Sequence, residues 1–198
     1  MPHLRLDVLC FLFSICWSTL VCAQGALFWD LSLGYGRGTH EDLRLSADFV
    51  LPSLLTLSGT TQHLERPAPQ KPADYEQGLC VYDDCSPRIR MNVYSILVGQ
   101  AIVKRPSWRY NLRGGVALNT LEEPVKFTPA PPGPYQLMPN YRYDKKRYVN
   151  AGVLFEPRIE FLSSRTLGFA LGGFAHFNKT NSAFGVFLEL LGSWQLRE

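Results

Sequence analysis

Polar and apolar residues alternate along most of this chain with the two-residue period of a strand, and beyond residue 23 no stretch sustains the period of a helix. The segment from Trp108 to Leu118 is the clearest. Trp108, Tyr110, Leu112, Val116 and Leu118 take the even positions, and Arg109, Asn111, Arg113, Gly115 and Ala117 the odd ones. Tyr143 to Phe161 repeats the pattern: Val149, Ala151, Val153, Phe155, Ile159 and Phe161 oppose Asn150, Gly152, Glu156, Arg158 and Glu160. Comparable segments over residues 27–36, 43–51, 54–63, 88–103, 167–177 and 183–196 bring the number of predicted strands to eight. Only the fourth is ambiguous in phase, because residues 94–98 are apolar on both faces.

The connections alternate in kind. Short turns are predicted at 52–53, 104–107 and 163–165, long polar loops at 64–87 and 122–142, and shorter polar ones at 37–42 and 178–182. The run Pro129-Ala-Pro-Pro-Gly-Pro134 cannot enter a ladder and reads as surface loop. An even strand number, with turns at one end and loops at the other, is the layout of an outer-membrane barrel. Hydrocarbon solvates no backbone polar group, so a sheet crosses it only if it closes on itself. The expectation is an all-β protein: a closed eight-stranded antiparallel up-and-down transmembrane barrel with both ends periplasmic.

Such a barrel turns its apolar face to lipid and its other face into a lumen narrow enough for side chains to fill. The phase then assigns Asp30, Asp48, Glu156, Glu160 and Glu189 to the lumen, together with Arg44, Arg90, Arg109, Arg113 and Arg158. Five charges of each sign suit a filled, non-conducting interior, since an unpaired buried charge is costly. Trp29, Tyr35, Trp108, Tyr110, Tyr143, Phe177 and Trp194 fall near strand ends on the lipid side, where interfacial aromatics belong. The alternative is a soluble secreted or periplasmic barrel with the apolar face inward around an apolar ligand.

Composition adds limits. The chain has 198 residues, 46% hydrophobic and 19% charged, with a net charge of +3 and a mean hydropathy of -0.06. These values exclude disorder and coiled coil, and a charge so small and scattered argues against nucleic acid as a partner. Residues 1–23 read as a cleaved secretory signal peptide: Arg5 precedes an apolar run from Val8 to Val21, and Val21-Cys22-Ala23 offers a cleavage site. The barrel is then expected over residues 24–198. Export into an oxidising compartment favours a disulfide between Cys80 and Cys85, because two cysteines without a nearby histidine make a poor metal site.

As an architecture, the chain resembles the small eight-stranded OmpA/OmpX-like outer-membrane barrels of Gram-negative bacteria. The resemblance implies outer-membrane lipid and the barrel-assembly machinery as partners, with Trp194 the aromatic nearest the C-terminus. It also implies a structural role or surface binding through loops 64–87 and 122–142. No cofactor, metal site or enzymatic activity is expected. A weaker resemblance touches chemistry. The stretch from His176 to Asn181 is similar to the His-x-Ser-Asn stretch of lipid A deacylases, which are Ser-His-Glu hydrolases, but Asn178 stands where the nucleophile would be. Ser182 or Ser193 would have to replace it, with Glu189 as orienting acid. Hairpin arithmetic centred on residues 179–180 sets Glu189 opposite Ala170, away from His176, so a structural histidine is the preferred reading.

Overall fold

The computed structural model describes residues 27–76, 86–105, 107–130, 139–163 and 166–196. Eight strands follow one another: β1 (Leu27–Gly38), β2 (Glu41–Val50), β3 (Leu55–Pro67), β4 (Arg88–Arg105), β5 (Trp108–Pro129), β6 (Tyr141–Leu162), β7 (Leu167–Asn178) and β8 (Ala183–Leu196). Each pairs antiparallel with its sequence neighbours. The ring closes where β1 meets β8, with Trp29 opposite Trp194 and Asp30 opposite Ser193. Full closure satisfies the backbone without an edge through the ring.

The alternation read from the sequence sets the faces. Leu33, Ile96, Val116 and Leu190 are 59%, 64%, 66% and 66% exposed, whereas Asp30, Asp48, Arg113, Glu156 and Glu160 are buried. The apolar face is therefore outside, which excludes an inward apolar face built to hold an apolar ligand. β4 resolves its ambiguous phase by turning Met91, Val93, Ser95 and Leu97 inward.

The interior has two layers. Toward the end carrying the short turns it is ionic. Toward the hairpin end it is apolar, built by Leu64, Ile89, Met91, Leu121, Leu154 and Phe187 with their buried neighbours. The apolar layer was not expected: Leu154 and Phe187 alternate with apolar outward residues, whereas Leu64, Ile89, Met91 and Leu121 alternate with polar ones, a local reversal of the pattern read in the belt.

β5 and β6 each run for 22 residues. They pair as far as Pro129↔Tyr141. β4 follows β5 only to Arg90↔Glu122, and β7 follows β6 only from Gly152↔Asn178. A two-stranded ribbon thus stands clear of the ring, with roughly 35 Å of β6 above its last pair to β7 at the usual rise per residue. The predicted loops 64–87 and 122–142 are correspondingly shorter, since β3 reaches Pro67 and β5 and β6 extend to Pro129 and Tyr141. Pro124 and Pro129 are tolerated in β5 because they lie beyond its last β4 pair, on a free edge. A bulge between Val125 and Thr128, with Lys126 at φ 52°, interrupts the ribbon.

Candidate functional site

The lumen charges form one connected network. Arg113 donates to Asp48 at 2.6 Å and to Glu156 at 2.7 Å. Arg44 donates to Asp42 at 2.6 Å and to Glu156 at 3.0 Å. Arg158 pairs with Asp48, Glu160 and, at 3.0 Å, Glu189. Arg109 joins Asp30 to Glu160. Gln62 and Asn111 donate to Glu156 and Glu160. Arg44 also lies over the rings of Phe187 (3.6 Å) and Phe174 (5.0 Å), so it joins the ionic layer to the apolar one.

Nine of the ten residues expected in the lumen are there; Arg90 is not. It shares the outward parity of Tyr94 and Ile96, and its Nε lies 2.8 Å from Glu65. Asp42, read as part of a connection, is a lumen residue with none of its surface exposed. Among the described residues the network therefore holds six carboxylates and four guanidiniums rather than five of each. Asp30 and Asp42, at its two ends, each touch a single guanidinium, and one oxygen of each lacks a hydrogen-bond donor.

His176 is buried in the wall, with its Nδ1 3.4 Å from the Asn178 amide. It sits opposite Ala183, and Ala170 sits opposite Glu189, the register that the hairpin arithmetic predicts. Six residues, or about 20 Å of strand, separate the two levels. Glu189 is engaged by Arg158, and Ser193 lies opposite Asp30 at the far end. No Ser-His-Glu arrangement is assembled among the described residues. No group of three or more His, Cys, Asp or Glu able to hold a metal ion occurs among them either. Cys80, Cys85 and the signal segment lie outside the described residues.

Six of the seven interfacial aromatics face outward near strand ends. Trp29 stacks on Trp194 (4.8 Å) and Trp108 meets Phe161 edge-on (5.1 Å) at the short-turn end. Tyr35 and Phe177 lie toward the hairpin end, Phe177 against Phe184 at 5.2 Å. Tyr110 is one pleat above Trp108 on β5. Tyr143 is instead part of the ribbon, packed on Phe127 at 5.6 Å.

Just beyond the apolar belt, the outward face becomes charged. Glu65 takes Arg88 (3.1 Å), Arg90 (2.8 Å) and His63 (2.9 Å). Burial opposes its charge, but the His63 hydrogen bond and the Arg90 guanidinium outweigh burial and hold its carboxyl below the usual range. Glu122 pairs with Arg147 across the base of the ribbon. In the β1–β2 turn, His40 bonds Thr39 at 2.9 Å, and burial, with Arg66 and His176 nearby, pushes it down to about 4.

A strap fixes the ribbon tip. Glu76 N donates to Asn140 Oδ1 (2.8 Å), Asn140 Nδ2 donates to the Asp74 carbonyl (2.6 Å), and Tyr141 donates to Asp74 Oδ2 (2.8 Å). Tyr75 stacks on Tyr141. The β3–β4 connection thereby braces the β5–β6 hairpin.

A ring closed by eight antiparallel strands, apolar outside and ionic inside, defines an outer-membrane-type β-barrel. Solved structures agree on the fold. A major outer membrane protein from Thermus thermophilus matches with a TM-score of 0.59 at 10% identity, over 87% of this chain and 100% of that one. The N-terminal β-barrel domain of Pseudomonas aeruginosa OprF matches with a TM-score of 0.54 at 8% identity, over 87% and 99%. No family model and no curated protein sequence matches the chain.

Proposed function

We propose that this protein is an outer-membrane barrel that acts as a fixed platform, holding a braced β-ribbon outside the membrane to bind a partner there. The observation that carries this reading is the β6 edge from Tyr141 to Ala151, which has β5 on one side and no β7 partner on the other. An unpaired edge is a template for an added strand, and natural proteins commonly shield such edges. Here the backbone edge is left without a third strand and braced at its tip, and the ribbon carries Lys126, Arg142, Lys145, Lys146 and Arg147 against Glu122, Glu123 and Asp144, a surplus of two positive charges. The charge favours an acidic partner.

Cells displaying the protein are compared with cells displaying a variant whose residues 124–145 are replaced by a tight turn, both applied to a polyglutamate-coated surface. The full-length protein should retain cells and the shortened one should not. Equal retention would reject the ribbon as the binding element.

A further inference from the structure

The outward surface of β2 to β6 contains a two-part feature that shares Tyr143 and Lys145, at its upper rim, with the ribbon. At the level where Tyr94 pairs with Leu118, and Leu118 with Ala151, the surface is hollowed into an open cavity of about 670 Å³. Leu45, Ala47, Gly59, Tyr94, Ile96 and Leu118 are among its walls and floor. The cause is a short row of small residues: Ala47 pairs with Gly59 between larger neighbours. A Cβ added at Gly59 would meet nothing within 4 Å, so the space there is open. The hollow lies within the apolar belt.

Four residues further along the same strands, about 13 Å toward the hairpin end, Arg90 pairs with Glu122. A small cleft opens there, lined by Ser86, Arg88, Arg90, Glu122, Tyr143 and Lys145. Three bases and two hydroxyls face one carboxylate in its lining. Across the surrounding rim, Arg88, Arg90, Lys145 and Arg147 stand against Glu41, Glu65 and Glu122, a surplus of one positive charge. The hydrocarbon of one leaflet is roughly 15 Å deep, with polar headgroups above it. The upper rim of the hollow lies about 13 Å, and Gly59 beside Ile96 about 20 Å, along the strands from the basic cleft; a strand tilt of about 40° makes these about 10–15 Å of depth, the spacing from mid-chain carbons to a headgroup.

We infer that this surface is a binding site for one membrane lipid with an anionic, phosphate-bearing headgroup. An acyl chain fills the hollow over Gly59, and the phosphate accepts hydrogen bonds from Arg88, Arg90 and Lys145. Charge-assisted bonds of this kind are among the stronger surface contacts available. The inference rests on the membrane reading but not on the ribbon's having a partner.

The full chain is reconstituted into vesicles of equal parts phosphatidylcholine and phosphatidylglycerol and extracted gently, and retained lipids are counted by native mass spectrometry. The wild type should retain phosphatidylglycerol in preference. Arg90→Gln with Lys145→Gln should lower that retention by about fivefold for each base removed. Gly59→Leu, whose Cβ meets nothing within 4 Å and whose side chain projects into the hollow, should lower retention of both lipids at unchanged heat-modifiable gel mobility. A wild type that inserts but retains the two lipids equally would overturn the proposal alone. Loss in the charge variant without loss in Gly59→Leu would overturn it too, since the acyl half would then be absent. A wild type that fails to insert would overturn the membrane reading together with the proposal.

Discussion

Arg113 and Arg90 carry the same side chain and are both salt-bridged, yet they face different solvents. Arg113 has 1% of its surface exposed and holds Asp48 and Glu156. Removing one partner of a buried ionic group strands the others in low dielectric, at about 3–5 kcal/mol. Arg113→Met should lose stability on that scale in urea unfolding from detergent micelles. Arg90→Gln, at the solvated rim, should lose under about 1 kcal/mol. His40 adds a pH dependence of known sign. Its folded value of about 4 lies below the ordinary 6.5, so the unfolded chain takes up the proton first as pH falls. Stability should be complete above about 6.5 and should decline between there and about 4, and His40→Asn should flatten that decline. A decline of equal steepness in the variant would remove His40 as its source. Lumen membership was legible wherever one face was plainly apolar, as beside Arg109, Arg113, Arg158 and Glu160. It failed at Arg90, because apolar residues on both faces of 94–98 left its phase unsettled, and at Asp42, because the first hairpin is tighter than its polar sequence suggests.

At the scale of elements, the strands were legible and their upper limits were not. Prolines and charges past Glu122 read as loop because a central strand cannot contain them. A free edge can, and β5 becomes one where β4 ends. Nothing in a single sequence reports where a neighbouring strand stops. The strap is likewise invisible to periodicity, since it rests on side-chain bonds between residues 74–76 and 140–141. An isolated two-stranded ribbon is marginal in water, so the strap should govern its order. Asn140→Ala removes both side-chain bonds to the 74–76 segment. Trypsin cleavage within residues 142–147 should accelerate several-fold, while the unfolding midpoint of the barrel stays within the small range of a surface change. Unchanged cleavage would mean that β5 alone orders the edge.

For the molecule as a whole, the two interior layers act in series. The ionic layer spans the lumen from Asp30 to Asp42 through shared carboxylates, and Arg44 carries it onto the rings of Phe174 and Phe187. Beside Asp42, which pairs with Leu64, the cluster of Leu64, Met91, Leu121 and Leu154 lines the lumen with apolar surface. An ion entering from the short-turn end meets Asp30, one of whose oxygens lacks a donor, and then carboxylates held by guanidiniums; beyond them it meets a stretch that cannot solvate it. Weakening one layer leaves the other intact. The wild type in planar bilayers should therefore show no steady conductance steps, and neither should Arg113→Met, despite its lost stability. Steps in the wild type would show that the lumen opens as a unit and would refute a platform function. Steps in Arg113→Met alone would show that the ionic layer is the seal and the apolar layer only packing. Silence in both, joined to the fall in stability, is the outcome that two independent closures require.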